Sequence, residues 1–439
     1  MPRERKDDGS ESLLGLMGVG QTRKASVTRR ALLFGVAGAA VAGTVVAGVV
    51  AEAEESARHR RALNPPLNPG FATVRTPGSL AGPAATPIWS VPVVRGTKAV
   101  AVGAGSVLLT ERFGDVLGFD PRTGAAKWQP SVEFFFNSDS PLTVVGDVLF
   151  GFDADGDLLA VDASNGTLSW KTQFASSGVD ISTVAGNAGP LLFSTGSIDD
   201  QVAGLGVLWG VDTGTHGVAF SISGIDFNLA VAASESAGVV VTADEITYRL
   251  TAYSIDDQSV RWRKDAGNAG RIGLPASPAA CIAVSGDGHT FYWASDRLYA
   301  LDAATGTARW TAGTVNPGDE FQSVIVVRGQ RPATESIVAT TTGPGGGTLR
   351  AFAAETGDVR WTEHGGAKFG LKTALAATAD VVVAAEADNG SVVAVDARTG
   401  QTRWTYHDAT VASELTWAVA ADDARIYVAY GKKLLAFQL

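Results

Sequence analysis

The chain has 439 residues, 35 Lys or Arg against 45 Asp or Glu, and a formal net charge of −10. That balance argues against a nucleic-acid binder, whose affinity rests on cations that neutralise phosphates. A single cysteine, Cys281, excludes an intrachain disulfide, and a chain of this size buries enough apolar surface to fold without one.

Residues 1–30 are polar and mixed in charge, and read as a cytoplasmic basic tail. Ala31 to Val50 follows as 20 uncharged residues, long enough to cross a hydrocarbon core as a helix. Arg23, Lys24, Arg29 and Arg30 precede it and Glu52, Glu54 and Glu55 follow, so the positive-inside bias exports everything after it. Ser26 to Leu33 contains the pair Arg29-Arg30 and resembles a twin-arginine export signal, and Ala51-Glu52-Ala53 resembles a small-x-small cleavage site. Two processed forms therefore stand: a single-pass membrane anchor with an extracytoplasmic domain, or a protein secreted through the twin-arginine route.

Residues 51–86 form a Pro/Gly/Ala-rich linker, most visibly from Leu63, which reads as a spacer off the membrane. Charge divides at the same place. Residues 1–61 carry net +3 and the remainder net −13, so the exported part is acidic.

From residue 87 one phrase recurs: an alternating apolar run, an Asp, a Thr-Gly turn and a Trp, as in LYALDAATGTARW from Leu298 to Trp310. Further copies end at Trp128, Trp170, Phe220, Trp262, Trp361 and Trp404. An eighth is split, with Leu434-Leu435-Ala436-Phe437 at the carboxyl end and Pro87-Ile88-Trp89 at the start. A short-stranded period of about 44 residues predicts an all-β, eight-bladed propeller over 87–439, its closing blade built from both ends. Within a copy, alternation places Tyr299 and Leu301 on one face and Leu298 and Ala300 on the other. Asp302 is expected to accept backbone N–H groups of the turn, Gly306 to take positive φ, and the Trp to pack against a neighbouring blade. Asp155-Gly156 and Asn389-Gly390 predict two-residue hairpin turns of the primed type.

The A-x-D-x-x-T-G-x-x-x-W phrase resembles the repeat of the pyrroloquinoline-quinone-type (PQQ-like, BamB-like) β-propellers. That resemblance implies one of three things: a quinoprotein dehydrogenase, a scaffold of outer-membrane assembly, or a sensor region working with a kinase. Three copies depart from the phrase, with Phe220 for Trp, Ser254-Ile255-Asp256-Asp257 in place of the regular Asp-to-Gly spacing, and Ala353 for Asp. Their blades are expected to be the least regular. Catalytic quinoproteins are implied to have neighbouring bonded cysteines and calcium-ligating carboxylates, and no residue of this chain matches that set.

The residues themselves assign no catalytic, cofactor-binding or metal site. His59, His216, His289, His364 and His407 form no paired ligand motif. Asp153 to Asp157 superficially resembles a calcium loop, but Leu158 stands where an EF-hand needs glycine, and a hairpin is the simpler reading. Cys281 reads as a small buried strand residue. The segments entering each blade vary most: 133–141, 176–183, 268–278, 316–323 and 365–374. They are placed to rim a funnel over the central channel, but the simpler and preferred reading is that Phe134 and Phe136 begin a core strand and the rest solvates a loop. The expectation is a monomeric, non-catalytic propeller that binds a protein, glycan or small solute, without nucleic acid and without a cofactor. A dehydrogenase using pyrroloquinoline quinone with calcium, and a sensor domain serving a separate kinase, are the alternatives.

Overall fold

The computed structural model describes residues 82–439 apart from 94–96, 112–115, 130–133, 135–141, 154, 174–178, 199–205, 226–227, 245–248, 267–280, 315–318, 329–334, 343–346, 364–368, 370–372, 387–389 and 411–416. The expected anchor or signal at 31–50, the cytoplasmic tail and most of the linker lie outside the described residues. Among the described residues no helix is long and apolar enough to cross a membrane.

Thirty-two strands, β1 to β32 in chain order, form eight four-stranded antiparallel sheets among the described residues. Seven sheets are meanders of consecutive strands, which we number as blades I to VII, at 97–128, 143–172, 179–225, 228–265, 282–312, 320–363 and 373–407. Blade VIII is composite, in the order β1 (Trp89–Pro92), β32 (Lys433–Gln438), β31 (Arg425–Tyr430), β30 (Trp417–Ala421). Trp89 pairs with Ala436 and Pro92 with Lys433, so the split eighth copy is joined as its sequence halves predict. The first strand of every blade touches the first strand of the next, and β30 touches β2 (Thr97–Gly103) of blade I. The ring is closed.

Each phrase does three physical jobs. Its third strand is buried on both faces: Tyr299 and Leu301 join a core with Trp262 of blade IV, while Leu298 and Ala300 join Phe321 and Phe352 of blade VI. Its Asp holds the turn. Asp396 Oδ1, for example, accepts the N–H groups of Arg398 and Thr399 at 3.1 and 3.0 Å. Its Trp closes the junction to the next blade: Trp361 donates through Nε1 to Ala397 O at 2.9 Å and lies over Gly400, and Trp262 donates to Ala303 O at 2.9 Å over Gly306. The turn glycine therefore serves twice, taking φ near +70° and leaving room for an indole that a Cβ would meet at 2.6 Å at Gly400.

The irregular copies bear out one expectation in part. Ser254 occupies the Asp position and Gln258 the Gly position, with φ 61, and Gln258 N donates to Ser254 O at 3.0 Å as Gly306 N does to Asp302 O at 2.8 Å. Gly357 N donates to Ala353 O in the same way at 2.9 Å. Both third-to-fourth strand pairings keep the single bulge of the regular copies. The backbone bond makes the turn and the Asp side chain reinforces it, so losing the Asp leaves the turn regular, while blades IV and VI each carry a further register shift between their first two strands. The Phe220 blade is the least regular, with two register shifts in each of two strand pairings, against one in each of two pairings in blades I, IV and VI. There His216 takes the glycine position at φ 60 and stacks on Trp170 at 4.5 Å.

The predicted hairpins exist but are wider than two residues. Asp153 N donates to Asp157 O at 3.1 Å around Gly156, and Glu386 pairs with Ser391 across Gly390. Gly156 and Gly390 have φ of 81° and 60°.

These carboxylates make the fold acid-sensitive. The Arg403 guanidinium and the Thr399 turn hold Asp396 down at about 2, and Ser259 and Ser254 hold Asp257 at about 2. At Asp408 burial acts in the opposite sense, but hydrogen bonds from Lys433, Thr410 and Tyr430 outweigh it and keep the carboxyl far below the usual range. A carboxyl depressed in the folded state adds stability above its unfolded value of about 3.9, and that stability is lost as pH falls through the folded value. The urea midpoint is expected to stay level from neutrality to about pH 5 and to decline between about pH 4 and 2. An Asp408→Asn variant, already without the charge, shows a shallower decline.

Candidate functional site

Antiparallel strands give the ring two ends. At one lie the segments entering each blade and the turns between second and third strands. At the other lie the turns between first and second strands and the Asp-to-Trp turns. The variable loops noted in the sequence belong to the first end, and the described parts of them point inward. Phe134 is buried with Leu108 and Leu149 between blades I and II. Phe321 and Phe369 are buried as well. These aromatic residues plug the core between blades, so they are not ligand-facing. Phe136 and 268–278 lie outside the described residues.

The other sequence candidates are also spent on the fold. Lys171 Nζ binds both Asp153 and Asp157 at 2.7 Å, which neutralises the calcium-like loop with an ammonium. Cys281 is buried, and burial pushes its thiol up to about 12, far from a reactive thiolate. Among the described residues no group of His, Cys, Asp and Glu is arranged to hold a metal ion.

A groove of about 500 Å³ opens instead at the second end. Its walls are β14 (Asn228–Ser234), the first strand of blade IV, and β18 (Ile282–Val284), the first strand of blade V, with the turns that succeed them. Arg328, just after β22 (Glu320–Val327) of blade VI, completes the lining. The turns interlock across blades. Ser234 Oγ donates to Gly288 O at 2.6 Å and Ser236 Oγ to Asp287 O at 3.0 Å. Gly286 N donates to Glu335 Oε1 at 3.0 Å, so a blade VI carboxylate grips the blade V turn. Gly288 takes φ +75°, a conformation that favours glycine, and a Cβ at Gly286 would displace the Glu335 carboxylate, whose Oε1 it would meet at 2.4 Å.

The charges at the groove are unequal. Ser285 Oγ donates to Asp287 Oδ1 at 2.6 Å and His289 N at 2.9 Å, and this turn keeps the Asp287 carboxyl below its ordinary value. Burial, helped by the charge of Asp287, raises that of Glu335 against the bond from Gly286 and the Arg328 guanidinium. Glu235 is exposed, with its carboxylate against Gly189 of blade III. Sequence reasoning missed this site because its residues meet only through ring geometry. The available signal was the polar, small turn Ser234-Glu235-Ser236 falling at the place in its repeat that Ser285-Gly286-Asp287-Gly288 takes in the next.

Known proteins share this architecture. The family described as outer membrane protein assembly factor BamB matches residues 80–205 and 247–438. The chain belongs to this family of PQQ-like propellers. Among solved structures, BamB from Moraxella catarrhalis is similar with a TM-score of 0.54 and 17% identity, over 81% of this chain and 98% of that one. A quinohemoprotein alcohol dehydrogenase from Pseudomonas putida HK5 aligns with a TM-score of 0.56 and 13% identity, over 81% of this chain and 76% of that one. The computationally designed Ika8 protein aligns with a TM-score of 0.60 and 14% identity, over 82% of this chain and all of that one, 100%. These likenesses are of fold. No curated protein sequence matches the chain. The family match passes over 206–246, the stretch that contains the β14 wall of the groove.

Proposed function

We propose that this chain is a non-catalytic binding and scaffold propeller, held by its 31–50 segment at the cytoplasmic membrane or exported across it, and that its partner is a protein. The observation that carries the reading is the family match, whose description is of an assembly factor. The site chemistry agrees with it: the depressed carboxylates of Asp396 and Asp408 hold turns and blade junctions, and Cys281 is sealed in the core. What remains open at the groove is a polar and charged surface suited to recognition.

The test is thermal. A ligand selective for the folded state raises the melting temperature, by a free energy of about 2.7 kcal/mol at 100 times its Kd. The full chain is expected to melt unchanged with pyrroloquinoline quinone and calcium, and to reduce no dye in the presence of an alcohol. A quinone-dependent shift with dye reduction would replace the scaffold with a dehydrogenase, and a shift with a cell-wall glycan would change the partner class. A carboxyl-terminal alkaline phosphatase fusion is expected to be active and to sediment with membranes. An active fusion in the soluble fraction would favour cleavage at Ala51-Glu52-Ala53.

A further inference from the structure

One cation, Arg350, stands in a place that other blades give to the apolar core. It lies in β24 (Leu349–Ala353), the third strand of blade VI, and Leu159, Tyr299, Val393 and Leu435 fill the corresponding place as buried residues in blades II, V, VII and VIII. We propose that Arg350 is the seat of a carboxylate ligand, which approaches beside Gly313 and takes the edge of the guanidinium that carries Nε and Nη2. The seat is at the end of the ring opposite the groove, and it stands whether or not the partner of the ring is a protein.

The cation is buried and has no counter-charge. Arg350 is 8% exposed, and its guanidinium lies 4.9 Å from the centre of the Phe352 ring, which stacks on Trp310 of blade V. Among the described residues no carboxylate pairs with it. Glu363, on the adjoining strand, sits opposite Leu349 and accepts a hydrogen bond from Thr402 of blade VII at 3.2 Å, on the other face of the sheet. Burial alone draws the Arg350 guanidinium below the ordinary arginine value. A buried cation left unpaired is costly, so a wall that keeps one gains from an incoming anion. The hydrogen bonds show which edge is open. Nη1 donates to Gly313 O at 2.9 Å, whereas the buried Nε–H has no acceptor. Nε and Nη2 form the edge that meets both oxygens of a carboxylate through parallel bonds, so the matched ligand group is planar and singly charged. The way in is beside Gly313, which is exposed and follows β21 (Ala308–Ala312), the outer strand of blade V. A Cβ there would meet nothing within 4 Å, and the residue has no positive φ, so neither packing nor backbone calls for glycine. Gln173, Asp265 and His407 hold the same place in blades II, IV and VII, and blade V departs from them by leaving it bare beside the arginine.

The experiment follows thermal unfolding of the full chain in mild detergent at about 0.15 M salt, where the net −13 of residues 62–439 is screened beyond about 8 Å and the local cation decides. In one arm chloride is exchanged for propionate. In the other a capped, glycine-flanked glutamate peptide is added, against the same peptide with glutamine. At about ten times its Kd a carboxylate is expected to raise the melting temperature by about 1–3 °C, and the glutamine peptide to leave it unchanged. A shift with propionate assigns the seat to free acids, a shift with the glutamate peptide alone assigns it to an acidic side chain of a partner, and either supports it. Arg350→Met keeps the volume without the charge and is expected to abolish the shift. Gly313→Leu keeps the arginine and covers the approach, and is expected to weaken the carboxylate by about 10-fold or more, the scale of a lost charge-assisted bond. Because the space beside Gly313 is open, this second variant decides the matter if Arg350→Met does not fold. The proposal is overturned if neither carboxylate raises the melting temperature of the unaltered chain, or if either folded variant responds as the unaltered chain does. Those results refute the seat and leave the protein-partner reading to its own tests.

Discussion

Deletion of Leu434–Leu439 abolishes cooperative unfolding of the ring. In blade VIII, β32 lies between β1 and β31, so the deletion removes a middle strand, leaving β1 without a partner and β31 paired with β30 alone. The lost side chains include Leu434, Leu435 and Phe437, exposed by 0%, 2% and 1%. At about 1.5–3 kcal/mol for each buried side chain, their loss alone is about 5–9 kcal/mol. That is comparable to a whole folding stability of about 5–15 kcal/mol. The amino-terminal side of the closure fails with it. Trp89 is held by the Gly124 turn of blade I, donating to Pro121 O at 3.2 Å, and residues 83–85 bridge to the outer strand of blade VII through Ala85 N to Thr405 O at 2.7 Å. Near-ultraviolet circular dichroism on heating is expected to show a single sharp transition for the full chain and none for the deletion. A deletion protein that melts sharply at the original temperature would mean that blade VIII contributes nothing to closure.

The inter-blade tryptophans give the second large effect. Trp361→Ala is expected to lower stability by about 3–5 kcal/mol, the scale for emptying a core aromatic site. Gly400→Ala is expected to lower it by about 2–3 kcal/mol, since the new methyl would sit 2.6 Å from the Trp361 ring at a residue with φ +70°. The two changes should not add. Once the indole is gone only the backbone strain is left, so in a Trp361→Ala background Gly400→Ala is expected to cost about 1–2 kcal/mol. Urea denaturation of the two single variants and the double measures this coupling. Additive losses would show that the glycine serves the turn alone and not the seat of the tryptophan.

Much of the fold was legible because one phrase does its work locally. Asp302, Gly306 and Trp310 are close in sequence and each acts within its own turn or on the adjoining blade, so residue type and spacing are enough to read them. The turns of the departing copies were misjudged, because there a side chain stands for a backbone effect. Ser254 and Ala353 lack the carboxylate but keep the carbonyl that accepts the bond from four residues on. The aromatic loop residues were ambiguous for another reason: Phe134 and Phe321 lie beside polar loop sequence, and only the neighbouring blades show that they are buried. The groove was not legible at all. Ser236, Gly286 and Arg328 lie in three different repeats, and their meeting depends on the rotation from blade to blade.

Site-specific photocrosslinking in cells tests most directly the claim that this ring is a protein-binding scaffold used at its turn end. A photoreactive residue replaces Ser236 at the groove or, as a comparison, Val359 on the outer strand of blade VI, which is 48% exposed. The account predicts one discrete protein adduct from position 236 and none from position 359. No adduct from position 236, or the same adduct from both positions, would contradict it.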